Sequence, residues 1–110
     1  MKQTNMTQKQ KDTQVAATIL QQLGGRQFIA MTGAHSFVAS PNGMSCKLRS
    51  NMSKAGVLRI TLNGNDLYKM EFVTLRGKTT FGKVLFEYDD VYCDDLQDFF
   101  TQVTGMYTRF

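Results

Sequence analysis

Residues 57–75 constrain this chain more than any other stretch. Leu58, Ile60 and Leu62 alternate with Arg59 and Thr61, and Tyr68, Met70 and Phe72 alternate with Lys69 and Glu71. Between them lies Asn63-Gly64-Asn65-Asp66, a run of turn-forming residues. A period of two puts successive side chains on opposite faces of a strand. The stretch therefore predicts two antiparallel strands with one apolar and one polar face. If Leu62 stands opposite Tyr68, then Arg59 stands opposite Glu71, a favourable cross-strand match. A register two residues tighter would set Arg59 against Lys69.

The rest of the chain supplies partners for that apolar face. Val15, Ala16, Ile19, Leu20 and Leu23 form one helical stripe, with Asp12 or Thr13 as its cap and Gly24-Gly25 as its stop. Gln27–Met31 is short, apolar and bounded by glycines, and reads as a buried strand. His35–Ser40 and Met44–Ser50 flank Pro41-Asn42-Gly43, which predicts a hairpin whose glycine takes the positive φ. Val84–Tyr88 reads as a further short strand. A last helix starts between Asp90 and Cys93, buries Leu96, Phe99, Phe100 and Val103, and ends at Gly105. The tail from Met106 is apolar enough to pack back. The expected fold is α+β: an antiparallel sheet of about five strands with an N-terminal and a C-terminal helix on one face. The domain would cover residues 13–110, after a flexible basic arm over residues 1–12 that carries Lys2, Lys9 and Lys11.

A chain of 110 residues has the size of one domain and buries a core without staples. No apolar run reaches the roughly 20 residues of a membrane span. The start shows no apolar signal region, so Cys46 and Cys93 are expected as reduced thiols.

Nothing assembles a catalytic set, so an enzyme is not expected and no cofactor is implied. His35, Cys46 and Cys93 lack metal-ligand spacing. Asp94, Asp95 and Asp98 have the oxygen chemistry of a Mg²⁺ cluster, but one helix in a chain of this size supplies no cavity or second acidic site, and the first turns of a solvated helix are the favoured reading. Asp90, Asp94 and Asp95 oppose any thiolate at Cys93. His35 and Ser36 are adjacent and point to opposite faces. Gly77-Lys78-Thr79-Thr80 lacks the spacing of a phosphate loop.

Charge is the remaining signal. The net charge is +4, but residues 1–86 carry twelve of the thirteen Lys/Arg and three acids, whereas residues 87–110 carry six acids against Arg109. Lys47, Arg49, Arg59 and Lys69 are expected to share the polar sheet face, with Arg76, Lys78 and Lys83 on the loop beside it, and all of these but Lys83 are the expected phosphate contacts. Such a surface would contact nucleic-acid phosphate without reading bases. Phe81 is the one evident aromatic for base stacking. The alternative is a protein-interaction module that binds a host protein through Asp89, Asp90, Asp94, Asp95 and Asp98 or through the open sheet face. Self-association through that face is a third option.

Ile19–Gly25 running into Phe28–Ala34, Ile60–Asn63 with Asp66-Leu67-Tyr68, and Asp90-Val91-Tyr92 with Leu96 and Thr104-Gly105 resemble, in that order, a family of small uncharacterised bacteriophage and mobile-element proteins. The resemblance covers roughly residues 15–110. It implies a bacterial or phage cytoplasmic setting, and no chemistry or site residue.

Overall fold

The computed structural model describes residues 8–77 and 80–108. Along them run α1 (Gln8–Leu23), α2 (Arg26–Thr32), β1 (His35–Ser40), β2 (Gly43–Lys47), β3 (Val57–Leu62), β4 (Tyr68–Arg76), β5 (Thr80–Val91), a 3-10 turn (Cys93–Asp95) and α3 (Leu96–Thr104). The five strands form one open antiparallel sheet in chain order. Leu62 pairs with Tyr68 and Arg59 with Glu71, the register that the charge match favours. The fold is α+β, with the helices packed on one face of the sheet.

That inner face is apolar because the strand period delivers Met44, Cys46, Leu58, Ile60, Met70 and Phe72 to it, each at most 1% exposed. α1 contributes Ile19 and Leu23, α2 contributes Phe28, and α3 contributes Leu96, Phe100 and Val103. Phe100 sits at the centre. Its ring lies edge-on to Phe28 at 5.0 Å and tilted to Phe72 at 6.3 Å. The helices are also tied by polar bonds: Tyr68 donates its hydroxyl to Gln22 Oε1 at 2.7 Å, and Gln97 Nε2 donates to the Leu23 carbonyl at 2.9 Å.

Gln27–Met31 is helical, not a strand. Burial recurs at Phe28 and Thr32, four residues apart, while Ile29 and Ala30 face solvent. A short apolar run does not distinguish the two states, and its period was the usable clue. α2 and α3 end with the same device. Thr32 donates to the Phe28 carbonyl and accepts from the Ala34 amide, and Thr104 does the same with Phe100 and Met106. The next residue, Gly33 or Gly105, is left-handed in both.

α1 starts at Gln8, ahead of Asp12 and Thr13, so Lys9 and Lys11 are helical and not part of an arm, while the rest of the expected arm, with Lys2, lies outside the described residues. Asp12 is therefore no cap: it accepts from the Asn42 amide at 3.1 Å and anchors the helix to the β1–β2 turn. In that turn the left-handed residue is Asn42, φ 55°, and not Gly43. Gly43 pairs with Ser40 and Thr61 inside the sheet, where a Cβ would collide with the Ile60 carbonyl. Gly43→Ala is expected to cost about 1–3 kcal/mol in urea unfolding, as overpacking does. Gly64→Ala, with open space around it, is expected to be neutral or to stabilise by less than about 1 kcal/mol.

β5 is far longer than the short strand expected. Its burial recurs every third residue, at Gly82, Leu85, Tyr88 and Val91. The cause is irregular pairing: the β4–β5 register shifts at three places. β1, the opposite edge, is also bulged, between His35 and Val38. Each edge carries a left-handed non-glycine residue at a bulge, Ser36 or Asp90; at Ser36 this breaks the strand alternation, so the His35 and Ser36 side chains do not point to opposite faces as expected but share a hydrogen bond between Nδ1 and Oγ at 2.9 Å. β2 to β3 and β3 to β4 pair without a break. Bulged edges offer an arriving strand no flat ladder, a feature that resists edge-to-edge pairing. In the tail, Met106 packs on the core and Thr108 is buried, but Tyr107 is exposed, and Arg109 and Phe110 lie outside the described residues.

Candidate functional site

The antiparallel meander sorts charge along the strands. The C-terminal ends of β2 and β4 and the N-terminal ends of β3 and β5 lie together, because Lys47 pairs with Val57, Val57 with Val73, and Val73 with Val84. Lys47, Arg76 and Lys83 stand at this end, Arg76 paired with Thr80 at the hairpin tip. Arg49 and Lys54 stand on the loop joining β2 to β3. Among the described residues this end carries five cations and no acid. Neighbouring strands are about 4.8 Å apart, so β2 to β5 spans about 14 Å.

The opposite end is acidic. Asp66 lies in the β3–β4 turn, Asp89 and Asp90 close β5, and Asp94 and Asp95 form the 3-10 turn that follows. Asp12 joins them through its bond to the β1–β2 turn. Asn63 organises this end, accepting from the Asn65 and Leu67 amides and donating to Asp90. α3 starts here and finishes near the basic end, where the Met52 amide donates to the Thr104 carbonyl. Its positive dipole end thus faces the acids, and Asp98 lies in its first turn.

The middle of the outer face is neutralised. Arg59 holds Glu71 through two bonds, Nε to Oε1 at 3.0 Å and a terminal guanidinium nitrogen to Oε2 at 3.2 Å. Lys69 Nζ reaches Glu87 Oε2 at 2.7 Å. That bond and the Glu87 charge raise the pKa of Lys69. Glu71 and Glu87 are direct cross-strand partners, so Arg59 and Lys69 relieve their repulsion. The outer face is also not uniformly polar, since Val57 and Val73 pair on it and are each 1% exposed.

The six basic residues singled out in the sequence thus separate into groups. Arg59 and Lys69 are on the expected face but engaged with carboxylates. Lys47 is at the end of the outer face. Arg49 is not on that face: β2 stops at Lys47, and the Arg49 side chain lies across Gly33, where a Cβ would collide with it. Arg76 is at the hairpin tip, and Lys78 lies outside the described residues. Lys83, expected on the loop beside the face, stands on β5 and belongs with the group, and so does Lys54. Lys54 was legible from its loop, which joins strand ends already placed beside Lys47. Asn51 shapes that loop by donating to the Arg49 and Ala55 carbonyls and accepting from the Ser53 amide. Of the five aspartates considered for protein contact, Asp89, Asp90, Asp94 and Asp95 gather at the acidic end, and Asp98 sits one turn into α3.

The thiols differ sharply. Cys46 is buried and Cys93 exposed, and neither is bonded to the other. Burial pushes the Cys46 thiol up from its ordinary 9.0 to about 12, a bond with the Leu58 backbone offsetting part of that rise. Native protein at pH 8 is expected to show one thiol to a disulfide reagent and two after denaturation. The unfolded chain loses the Cys46 proton near pH 9, the folded chain only near 12, so this residue lowers stability as pH rises through that window. Stability of Cys46→Ala, measured from pH 8 to 11, is expected to fall less steeply.

Among the described residues no three His, Cys, Asp or Glu gather to hold a metal, and no helix is long and apolar enough to cross a membrane. A cleft of about 420 Å³ between α1 and the strand ends is lined by Lys11, Gln14, Val15, Thr18, Asn42, Leu62 and Tyr68. Its lining holds no carboxylate or histidine, and the neighbouring Asp12 carboxylate is engaged by the Asn42 amide. The fold and site define an α+β meander domain polarised along its strands. No family model, curated protein or solved structure matches the chain.

Proposed function

We propose that this chain is a non-enzymatic module that binds nucleic-acid backbone through the basic end of its sheet. The observation that carries the reading is the sorting of charge: Arg49, Lys54, Arg76 and Lys83 gather with Lys47 at one end of the sheet, while Arg59 and Lys69 on its middle are held by Glu71 and Glu87. Cations along the about 14 Å from β2 to β5 and on the adjoining loop suit several consecutive backbone phosphates. The acidic end repels the same polymer and so orients it.

Affinity for a labelled oligonucleotide, followed by anisotropy from 50 to 300 mM salt, tests this. Three to five phosphate contacts give a slope of log K against log salt of about −2 to −4. Absence of binding at 50 mM salt refutes the proposal.

The acidic end supports a second reading. Tyr92 is 62% exposed among Asp89, Asp90, Asp94 and Asp95, an aromatic anchor ringed by charge, as protein contacts often are. The fitting partner is a protein with a basic surface, such as a host protein. Co-purification that survives nuclease and is lost in Tyr92→Ala would support it.

A further inference from the structure

Phe81 stands where a chain that only needed to solvate its strands would not put it. It lies on β5 opposite Leu75, 42% exposed, next to the Arg76–Thr80 pair and two residues from Lys83. One neighbour is fixed: the Arg59 guanidinium lies 5.8 Å from the ring centroid, within cation–π range. Glu71 holds that guanidinium through two hydrogen bonds, so the ring rests on a braced group. The hairpin thus presents a supported, half-open aromatic surface inside the basic end.

We infer that the nucleic acid is single-stranded and that Phe81 stacks on one of its bases; this rests on the backbone-binding reading above. Flat rings bordered by cations bind single strands, because unpaired bases offer their faces while phosphates follow the charge. A duplex keeps its base faces stacked inside and offers Phe81 no partner. Stacking is tolerant of base identity, so weak sequence preference follows. Arg59 takes a positioning role: it braces the ring, with its charge already met by Glu71.

The test uses the full chain and three probes: an oligothymidine 12-mer, the same length as duplex, and inorganic polyphosphate, which has charge but no bases. The single strand is expected to bind more tightly than the duplex. Phe81→Ala is expected to weaken it by roughly 5- to 150-fold, the range for loss of one stacked base. Phe81→Tyr should retain affinity, and polyphosphate should bind all three proteins equally. Equal affinity for single strand and duplex, an unchanged Phe81→Ala, or a parallel loss on polyphosphate overturns the stacking inference alone. Failure of the wild-type chain to bind either polyphosphate or oligonucleotide at low salt overturns the backbone-binding reading itself.

Discussion

Reversing charge at Arg76 and Lys83 together is expected to weaken oligonucleotide binding by on the order of 100-fold at 0.1 M salt. The magnitude follows from counterion release. With a slope near −0.7 per contact for single strands, each phosphate contact is worth about 5-fold at that salt, so losing two costs about 25-fold. Glutamate in their place adds repulsion beyond the loss of two contacts. The salt slope should fall by about 1.4 at the same time. Both residues are exposed on the hairpin, and neither side chain makes a hydrogen bond or ion pair among the described residues, the Lys83 amide alone donating to Thr74 Oγ1 at 2.8 Å. The fold should therefore be little changed, which a thermal melt checks. Lys69→Gln is the informative control. Its ammonium is taken up by Glu87 at 2.7 Å, so its removal should leave affinity within about 2-fold, well below one full contact. An equal loss in both variants would place the ligand on the sheet face instead of its end.

Phe100→Ala is expected to have the largest effect on stability, about 3–5 kcal/mol. The ring is fully buried and contacts both Phe28 from α2 and Phe72 from β4. Truncation therefore removes contacts between three elements and opens a cavity that none of them alone can close. For a domain of this size the loss corresponds to roughly 15 °C or more in Tm. A substantial part of a total stability of about 5–15 kcal/mol would be gone. Chemical unfolding with an unchanged m value would assign the effect to the native core. Phe99→Ala, at the edge of the same helix against Tyr88, should cost clearly less.

The parts of this fold that were legible in the sequence are those with a strict period and a matching charge pair. The register of β3 on β4 followed from Leu58, Ile60 and Leu62 against Tyr68, Met70 and Phe72, with Arg59 against Glu71 as the check. The body of α3 was legible because Leu96, Phe100 and Val103 share one face and Gly105 stops it, but its start was placed too early: β5 runs to Val91 and a 3-10 turn over Cys93–Asp95 precedes Leu96. α2 was not, since seven residues give too short a window to separate helix from strand. β5 was underestimated because its three pairing irregularities erase alternation. The candidate site was half legible. Which residues are basic was plain, but a strand pattern assigns faces and not ends, and ends depend on how successive hairpins align. Arg59 and Lys69 were placed on the correct face, and the Arg59–Glu71 match followed from the β3–β4 register; the Lys69–Glu87 pair was not legible, because it depends on β4–β5 pairing that short patterns did not define.

Amide chemical shifts of the isotope-labelled chain, recorded while an oligothymidine 12-mer is titrated at 50 mM salt, probe the polarised sheet most directly. Changes should concentrate in residues 47–56 and 74–84 and leave 63–68 and 89–98 in place. Shifts centred on the acidic end, or on the Lys69–Glu87 row, would contradict the assignment of the ligand to the basic end.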